Sequence, residues 1–459
     1  MIRTIMKHFR FSLLTRCLTF FSAKQMDEAI LFNQLTQHFG TDPVSLPVLE
    51  QKYTAYERAN VHLALAEISN SADSPPTLTG IVVPEDYHSV NLSKLSRPTS
   101  AKNYDEGPIE YVDERLPNNE RLSCIKRGLY FFHFDSKPLV LLVSDKQYPM
   151  PGIIAEIMAT TKEHAEQFAN KLTKLIKYGK AFRGHMLSLE RDCYGGVNIK
   201  FHNLPAIERE QVILPTGILD RIERHTVRFA ENADRLTAAG RHLKRGILFH
   251  GPPGTGKTFS AMYLASRMPD RTVFLLTGAA MGSIETACKM ARVLAPSTVI
   301  LEDVDLIGTQ RDRQMVDANA LLFELLNQMD GLADDTDVLF ILTTNRPDVL
   351  EPALASRPGR IDQAVEIPPP DKECRRRLFD LYSKGMLVEI NELDQFLDKM
   401  DGVSAAFIKE LLRKAAVFAA IESDGELKVQ DNHIELALAE LLVAGGDLTQ
   451  SLLGSSKTK

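Results

Sequence analysis

The feature that most limits what this chain can fold into is the eight-residue run Gly251-Pro252-Pro253-Gly254-Thr255-Gly256-Lys257-Thr258. It follows the short apolar segment Gly246-Ile247-Leu248-Phe249-His250 and precedes Ala261, Leu264 and Ala265 at helical spacing. The order is strand, loop, helix. Glycines let the backbone wrap a phosphate, so that several N–H groups and the positive end of the following helix face it. Lys257 is then placed to reach β- and γ-phosphates, and the Thr258 hydroxyl to take a position on Mg²⁺. At average composition the pattern arises by chance in a chain of this length roughly 1–2% of the time. Phosphate binding across Gly251–Thr258 is therefore expected.

Two further segments continue the pattern. Ser297-Thr298-Val299-Ile300-Leu301 reads as a buried strand that ends in Glu302-Asp303-Val304-Asp305. This puts carboxylates at the carboxyl end of a strand, where α/β sheets hold their ligands. Val338-Leu339-Phe340-Ile341-Leu342 reads as another such strand and ends in Thr343-Thr344-Asn345. Its terminal amide is suited to orient a water beside a γ-phosphate.

Four stretches together resemble the classical AAA ATPase module. They are Gly251–Thr258, Leu325-Leu326-Asn327-Gln328-Met329-Asp330-Gly331, Thr343-Thr344-Asn345-Arg346-Pro347, and Ala353-Leu354-Ala355-Ser356-Arg357-Pro358-Gly359-Arg360-Ile361-Asp362. The resemblance covers about residues 210 to 440. It implies an α/β fold: a parallel-sheet αβα large subdomain over residues 206–368, a small helical lid over 369–445 and a flexible tail over 446–459. An α+β amino-terminal module over 26–205 comes before them.

The resemblance also implies ATP and Mg²⁺ as cofactors. Thr258 and Glu302 stand on the metal side, Glu302 through water, Asp303 positions the attacking water, and Asn345 is the polar sensor. Arg357 and Arg360 are implied arginine fingers on a neighbouring subunit's nucleotide. A loose phosphoryl-transfer transition state spreads charge over the γ-oxygens, and a guanidinium supplied in trans raises turnover by roughly 10³–10⁵. The implied assembly is a homo-oligomer, a hexamer, that hydrolyses ATP and remodels a protein partner.

The chain departs from the family pattern in two places. Most members end this strand in Asp-Glu, whereas here the order is Glu302-Asp303, as in relatives of the mitochondrial translocase that exports a folded iron–sulfur protein. Asp303 is one methylene shorter than the usual base, and a shift of about 1 Å in a catalytic group costs roughly 10²-fold, so slow hydrolysis is expected. The stretch Thr277-Gly278-Ala279-Ala280-Met281-Gly282-Ser283, where threading members carry an aromatic pore loop, has no aromatic residue. Met281 is its one candidate for substrate contact, with a packed methionine as the competing reading. These departures motivate an alternative function as a slow or non-hydrolysing nucleotide-dependent scaffold or switch. Gly402-Val403-Ser404-Ala405-Ala406 stands at the start of the sensor-2 helix without a sensor-2 arginine, and no H-E-x-x-H metalloprotease motif occurs.

The 459 residues suffice for two or three domains. The net charge of -6 provides no basic field to recommend nucleic acid as a partner. The five scattered cysteines, Cys17, Cys124, Cys193, Cys288 and Cys374, fit a reducing compartment. No stretch reaches the length of an ordinary transmembrane helix. Residues 1–25 carry Arg3, Lys7, Arg10, Arg16 and Lys24 without an acid. They read as a transit peptide, a weak signal peptide, a membrane-surface helix or an untranslated upstream stretch. The expected location is cytoplasmic, or mitochondrial under the first of these readings.

Within the amino-terminal module, apolar spacing predicts a helical element from Asp27 to about Ile68. A hairpin is predicted around Asp135-Ser136-Lys137-Pro138, and a helix from Thr161 that stops at Gly179.

Overall fold

The computed structural model describes residues 29–441, except 73, 85–89, 118–119, 147–151, 178, 192–196, 306–323, 330–335, 349–360, 423–424 and 426. The strand that enters the P-loop, Gly251–Thr258, is β10 (Arg245–His250), and it is paired on both sides. Its sheet runs β14 (Gln363–Glu366), β10, β13 (Val338–Thr344), β12 (Ser297–Leu301), β11 (Thr272–Leu276), β8 (Met186–Arg191) and β9 (Val197–His202). All pairings are parallel except β8 with β9.

The sheet carries a core on each face, which explains why its strands read as unbroken apolar runs. Val338, Phe340 and Leu342 of β13 join one apolar cluster, while Leu339 and Ile341 join the other. The first cluster is covered by helix Ile284–Val293, through Ile284, Ala287, Cys288 and Ala291. The second is covered by the P-loop helix Lys257–Ser266, through Ala261, Leu264 and Ala265. The αβα expectation holds.

The amino ends of the strands are tied by a buried ion cluster. Asp337 accepts from Arg245 Nη2 at 3.0 Å and from Arg271 Nη1 at 2.5 Å, and Arg271 Nη2 also donates to Ser297 O at 2.5 Å. Both arginines are at most 5% exposed. Burial lowers the Arg245 pKa to about 10, the Arg271 charge beside it adds to that effect, and Asp337 opposes it.

The amino-terminal module is built on an antiparallel sheet in the order β1 (Val48–Thr54), β7 (Gly152–Ala159), β6 (Lys137–Lys146), β5 (Arg121–Phe134), β2 (Thr77–Val82), β3 (Asp105–Gly107). A further strand, β4 (Glu110–Arg115), pairs with β5. The predicted hairpin joins β5 and β6, with Asp135 and Ser136 at φ +48° and +61°. Such a two-residue turn matches the twist of the strands it links. The predicted helix spans Lys162–Lys177, its start held by the bond from His164 N to Thr161 Oγ1.

Two expectations are corrected. Residues 27–68 do not form one helical element: helix Ile30–Phe39 ends at left-handed Gly40, β1 follows, and a second helix spans Arg58–Asn70. Pro43 and Pro47 interrupt the helical pattern, and Thr54 with Glu57 forms a capping box before the second helix. The break between module and large subdomain does not fall at 205 either, since β8 and β9 extend the P-loop sheet. Tyr56, Ala59 and Leu63 of the module pack in the same apolar cluster as Leu187, Leu189 and Phe201 of those strands. The module and the sheet therefore share a core.

Beyond β14, helices Lys372–Tyr382, Leu393–Lys399, Ala405–Glu422 and Asp431–Ala439 enclose a separate core. The lid is not purely helical, since β15 (Leu387–Glu389) and β16 (Lys428–Gln430) pair in parallel. Among the described residues, no helix is long and apolar enough to cross a membrane.

Candidate functional site

The carboxyl ends of β10, β12 and β13 open onto a cavity of about 830 Å³ between the sheet and the lid. The P-loop forms its floor. Gly251 has φ +145°, and a Cβ there would lie 2.3 Å from Ile367 O. Gly254 has φ +76°, and its Cβ would meet Ser404 Oγ at 2.8 Å and Ala406 Cβ at 2.9 Å. Only glycine fits either place. Gly254 O in turn accepts from Ala406 N at 3.1 Å, so the first turn of the lid helix Ala405–Glu422 rests directly on the loop.

Lys257 opens the P-loop helix and is 5% exposed, with Nζ donating to Gly251 O at 2.9 Å and Pro252 O at 2.8 Å. Burial lowers its pKa, and the charges of Asp303 and Asp305 oppose that shift. Thr258 lies next in the helix, with its hydroxyl beside the Glu302 carboxyl. Glu302 Oε1 is buried and has no hydrogen-bond partner. Burial raises the Glu302 pKa, neighbouring Asp303 adds to it, and the Thr258 hydroxyl works the other way.

Asp303 sits one residue on, with φ +50°, in the left-handed region that Asp tolerates better than most residues. Its Oδ1 accepts from Asn345 Nδ2 at 3.2 Å, and its N–H donates to Thr343 Oγ1 at 3.0 Å. The structure thus brings Lys257, Thr258, Glu302, Asp303 and Asn345 together, with the longer acid beside the P-loop hydroxyl and the shorter one beside the amide. Pro252 and Pro253 lie in the same loop, and Thr255 Oγ1 donates to Pro252 O at 3.0 Å. Arg357 and Arg360 lie outside the described residues.

Met281 is 2% exposed and packs with Leu276, Ile284 and Ala287. The candidate for substrate contact is therefore a core residue, and the packed reading is the one the structure supports.

The sequence reading missed the cavity's other wall. Ile207, Val212, Ile213 and Leu214 line it from the chain before the P-loop, and Leu378, Tyr382 and Lys409 from the lid. Such a wall suits a flat apolar group, but nothing in the spacing of these residues marks them, since packing distant segments together is what creates it. Asp305, one of the strand-end carboxylates, has no role assigned by the motif. Its Oδ1 accepts from Thr344 Oγ1 at 2.7 Å and from Asn345 N at 3.1 Å.

Comparison with known proteins agrees with this geometry. Residues 247–369 match the family "ATPase family associated with various cellular activities (AAA)". The ATP-dependent zinc metalloprotease FtsH 3 of Synechocystis sp. is 32% identical over 246 residues, 51% of this chain and 38% of that protein. The 26S proteasome regulatory subunit 8 homolog of Schizosaccharomyces pombe is 34% identical over 222 residues, 45% of this chain and 54% of that protein. The chloroplastic ATP-dependent zinc metalloprotease FTSH 1 of Oryza sativa is 30% identical over 280 residues, 58% of this chain and 40% of that protein. The match thus spans about half or less of each of these relatives. The stretch 247–369, with its P-loop and the acids at its strand ends, is an AAA domain.

Proposed function

We propose that the chain binds Mg-ATP in the cavity, hydrolyses it within a ring of like subunits, and uses motion of the lid against the sheet to remodel a protein partner held by the amino-terminal module. The observation that carries this reading is the meeting of Lys257, Thr258, Asp303 and Asn345 at one end of one cavity, with Glu302 buried beside Thr258.

The residues fit the cofactor. A buried carboxylate oxygen without a partner, beside a hydroxyl, is a donor set for a hard divalent cation. The metal, when bound, supplies neutralisation of phosphate charge. Thr258 and Glu302 would hold it, Glu302 through water. Gly251 to Gly256 and Lys257 bind the phosphates, Asp303 orients the attacking water and draws off its proton, and Asn345 fixes both. Arg357 and Arg360 act on the neighbouring subunit's nucleotide, which makes hydrolysis depend on assembly, a hexamer by resemblance. The relatives' names, ATP-dependent metalloprotease and proteasome regulatory subunit, support protein as the substrate class.

The test is steady-state ATP hydrolysis against protein concentration, wild type beside Asp303→Asn, with mass determination on the same samples. Turnover that rises cooperatively and disappears in Asp303→Asn supports the reading. Tight ATP binding and ring formation with negligible turnover would instead favour a nucleotide-dependent scaffold, the reading to which the short Asp303 and the buried Met281 lend weight.

A further inference from the structure

The ladder between β12 and β13 ends at the pair Leu301 and Leu342. The residues that follow on each strand carry the candidate chemistry, so something other than the sheet must hold them. Glu302 N donates to Leu276 O at 3.0 Å and Val304 N to Thr343 O at 3.0 Å, which secures the backbone on the β12 side. On the β13 side, Asn345 is half-buried and is followed by the exposed residues 346–348. A side-chain amide at the end of a strand has several rotamers open to it, and one aimed at a water has to be held in a single one.

We propose that Asp305, which does not line the cavity, is a positioning residue: it grips the end of β13 so that the Asn345 amide faces Asp303. One oxygen, Oδ1, accepts from the Thr344 hydroxyl at 2.7 Å and from Asn345 N at 3.1 Å. The Thr344 hydroxyl then accepts from Arg346 N at 2.9 Å. The Asn345 amide, fixed through its backbone, reaches Asp303 Oδ1 at 3.2 Å, and Asp303 is itself fixed by its N–H on Thr343 Oγ1. The result is a closed circuit of hydrogen bonds around two strand ends, with Asp305 as its one 8%-exposed carboxylate and Thr344 fully buried. The left-handed turn at Asp303 points its carboxylate toward Asn345 while Asp305 takes hold two residues later. The carboxylates in line at 302, 303 and 305 thus have three different jobs. This inference rests on the hydrolytic reading above.

The experiment compares wild type, Asp305→Ala, Asp305→Asn and Thr344→Val. It measures steady-state ATP turnover, ATP affinity by equilibrium titration, and amide hydrogen exchange of the peptide that contains Thr344 and Asn345. Asp305→Ala should lower kcat by about 10²-fold, the cost of a displacement of about 1 Å. Its ATP affinity should stay near the wild-type value, and its Thr344–Asn345 peptide should exchange faster. Asp305→Asn keeps an acceptor oxygen without the charge and should retain most of the turnover and the protection. Thr344→Val removes one of the two donors and should fall between them, which keeps the test open if Asp305→Ala fails to fold. If Asp305→Asn behaves like Asp305→Ala, the charge rather than the hydrogen bonds matters and the proposal is overturned; unchanged exchange and kcat in Asp305→Ala overturn it too. A wild type without turnover defeats the hydrolytic reading alone, since the exchange measurement decides the role of Asp305 without it.

Discussion

Lengthening Asp303 to Glu would give the chain the acid that the family resemblance leads one to expect at this position, and reach alone suggests a faster enzyme. The geometry predicts a slower one. Asp303 holds φ +50°. The left-handed region costs an ordinary L-residue about 1–2 kcal/mol, and Asp escapes part of this through short-range hydrogen bonds that a longer side chain makes less well. The inserted methylene also advances the carboxylate by about one C–C bond, ~1.5 Å, past the position from which it now meets Asn345 Nδ2 at 3.2 Å. A displacement of about 1 Å costs roughly 10²-fold in rate, so Asp303→Glu should lower kcat by about 10- to 100-fold. ATP affinity should be little changed, because Lys257 and Thr258, the groups proposed to face the phosphates, are untouched. A coupled ATPase assay with an equilibrium ATP titration reads both quantities. Turnover at or above the wild-type level would refute the argument that the left-handed turn and the short acid are matched.

Four further outcomes are expected. Glu302→Gln should stabilise the protein in metal-free, nucleotide-free buffer: a carboxyl with a raised folded pKa binds its proton more tightly in the folded state, so stability is lost as pH climbs from the ordinary value of 4.5 through the folded one. Thermal melts should show the gap between variant and wild type widening over that rise, and a gap constant with pH would count against it. Asp337→Ala strands two buried arginines and should cost about 3–5 kcal/mol in urea unfolding; a loss below about 1 kcal/mol, the median scale of surface pairs, would show that the cluster is dispensable. Gly254→Ala forces a Cβ against Ser404 and Ala406 and should weaken ATP binding measurably by titration, since the loop and the lid helix cannot both keep their places; wild-type affinity would contradict this. Arg360→Ala should keep ATP affinity and lose at least about tenfold in turnover, as a charge acting in trans would; unchanged turnover would remove it from the site.

Much of the site is legible in the chain because its parts are local. The P-loop is eight consecutive residues, with a strand before it and a helix that begins at its Lys257. The acids and the amide each follow a short, β-branched-rich apolar run that reads as a strand with both faces buried, and is one. Strand register is also what puts Glu302 on the side of Thr258 and Asp303 on the side of Asn345, the neighbours the structure gives them.

What sequence reading could not reach is whatever depends on distant segments meeting. The pairing of β8 with β11 joins residues nearly ninety apart and carries the P-loop sheet back to Met186. β1 lies inside a stretch of helical spacing and is a strand because β7, about a hundred residues later, supplies its partner. The wall formed by Ile207, Val212 and Tyr382 exists only once the lid folds over the sheet. Hydrophobic periodicity and short motifs report how a segment prefers to fold and what its own side chains can do. The closing of loops and the burial of one surface by another are long-range, and they alone decided where the module ends, what covers Met281, and why Asp305 grips the strand that carries Asn345.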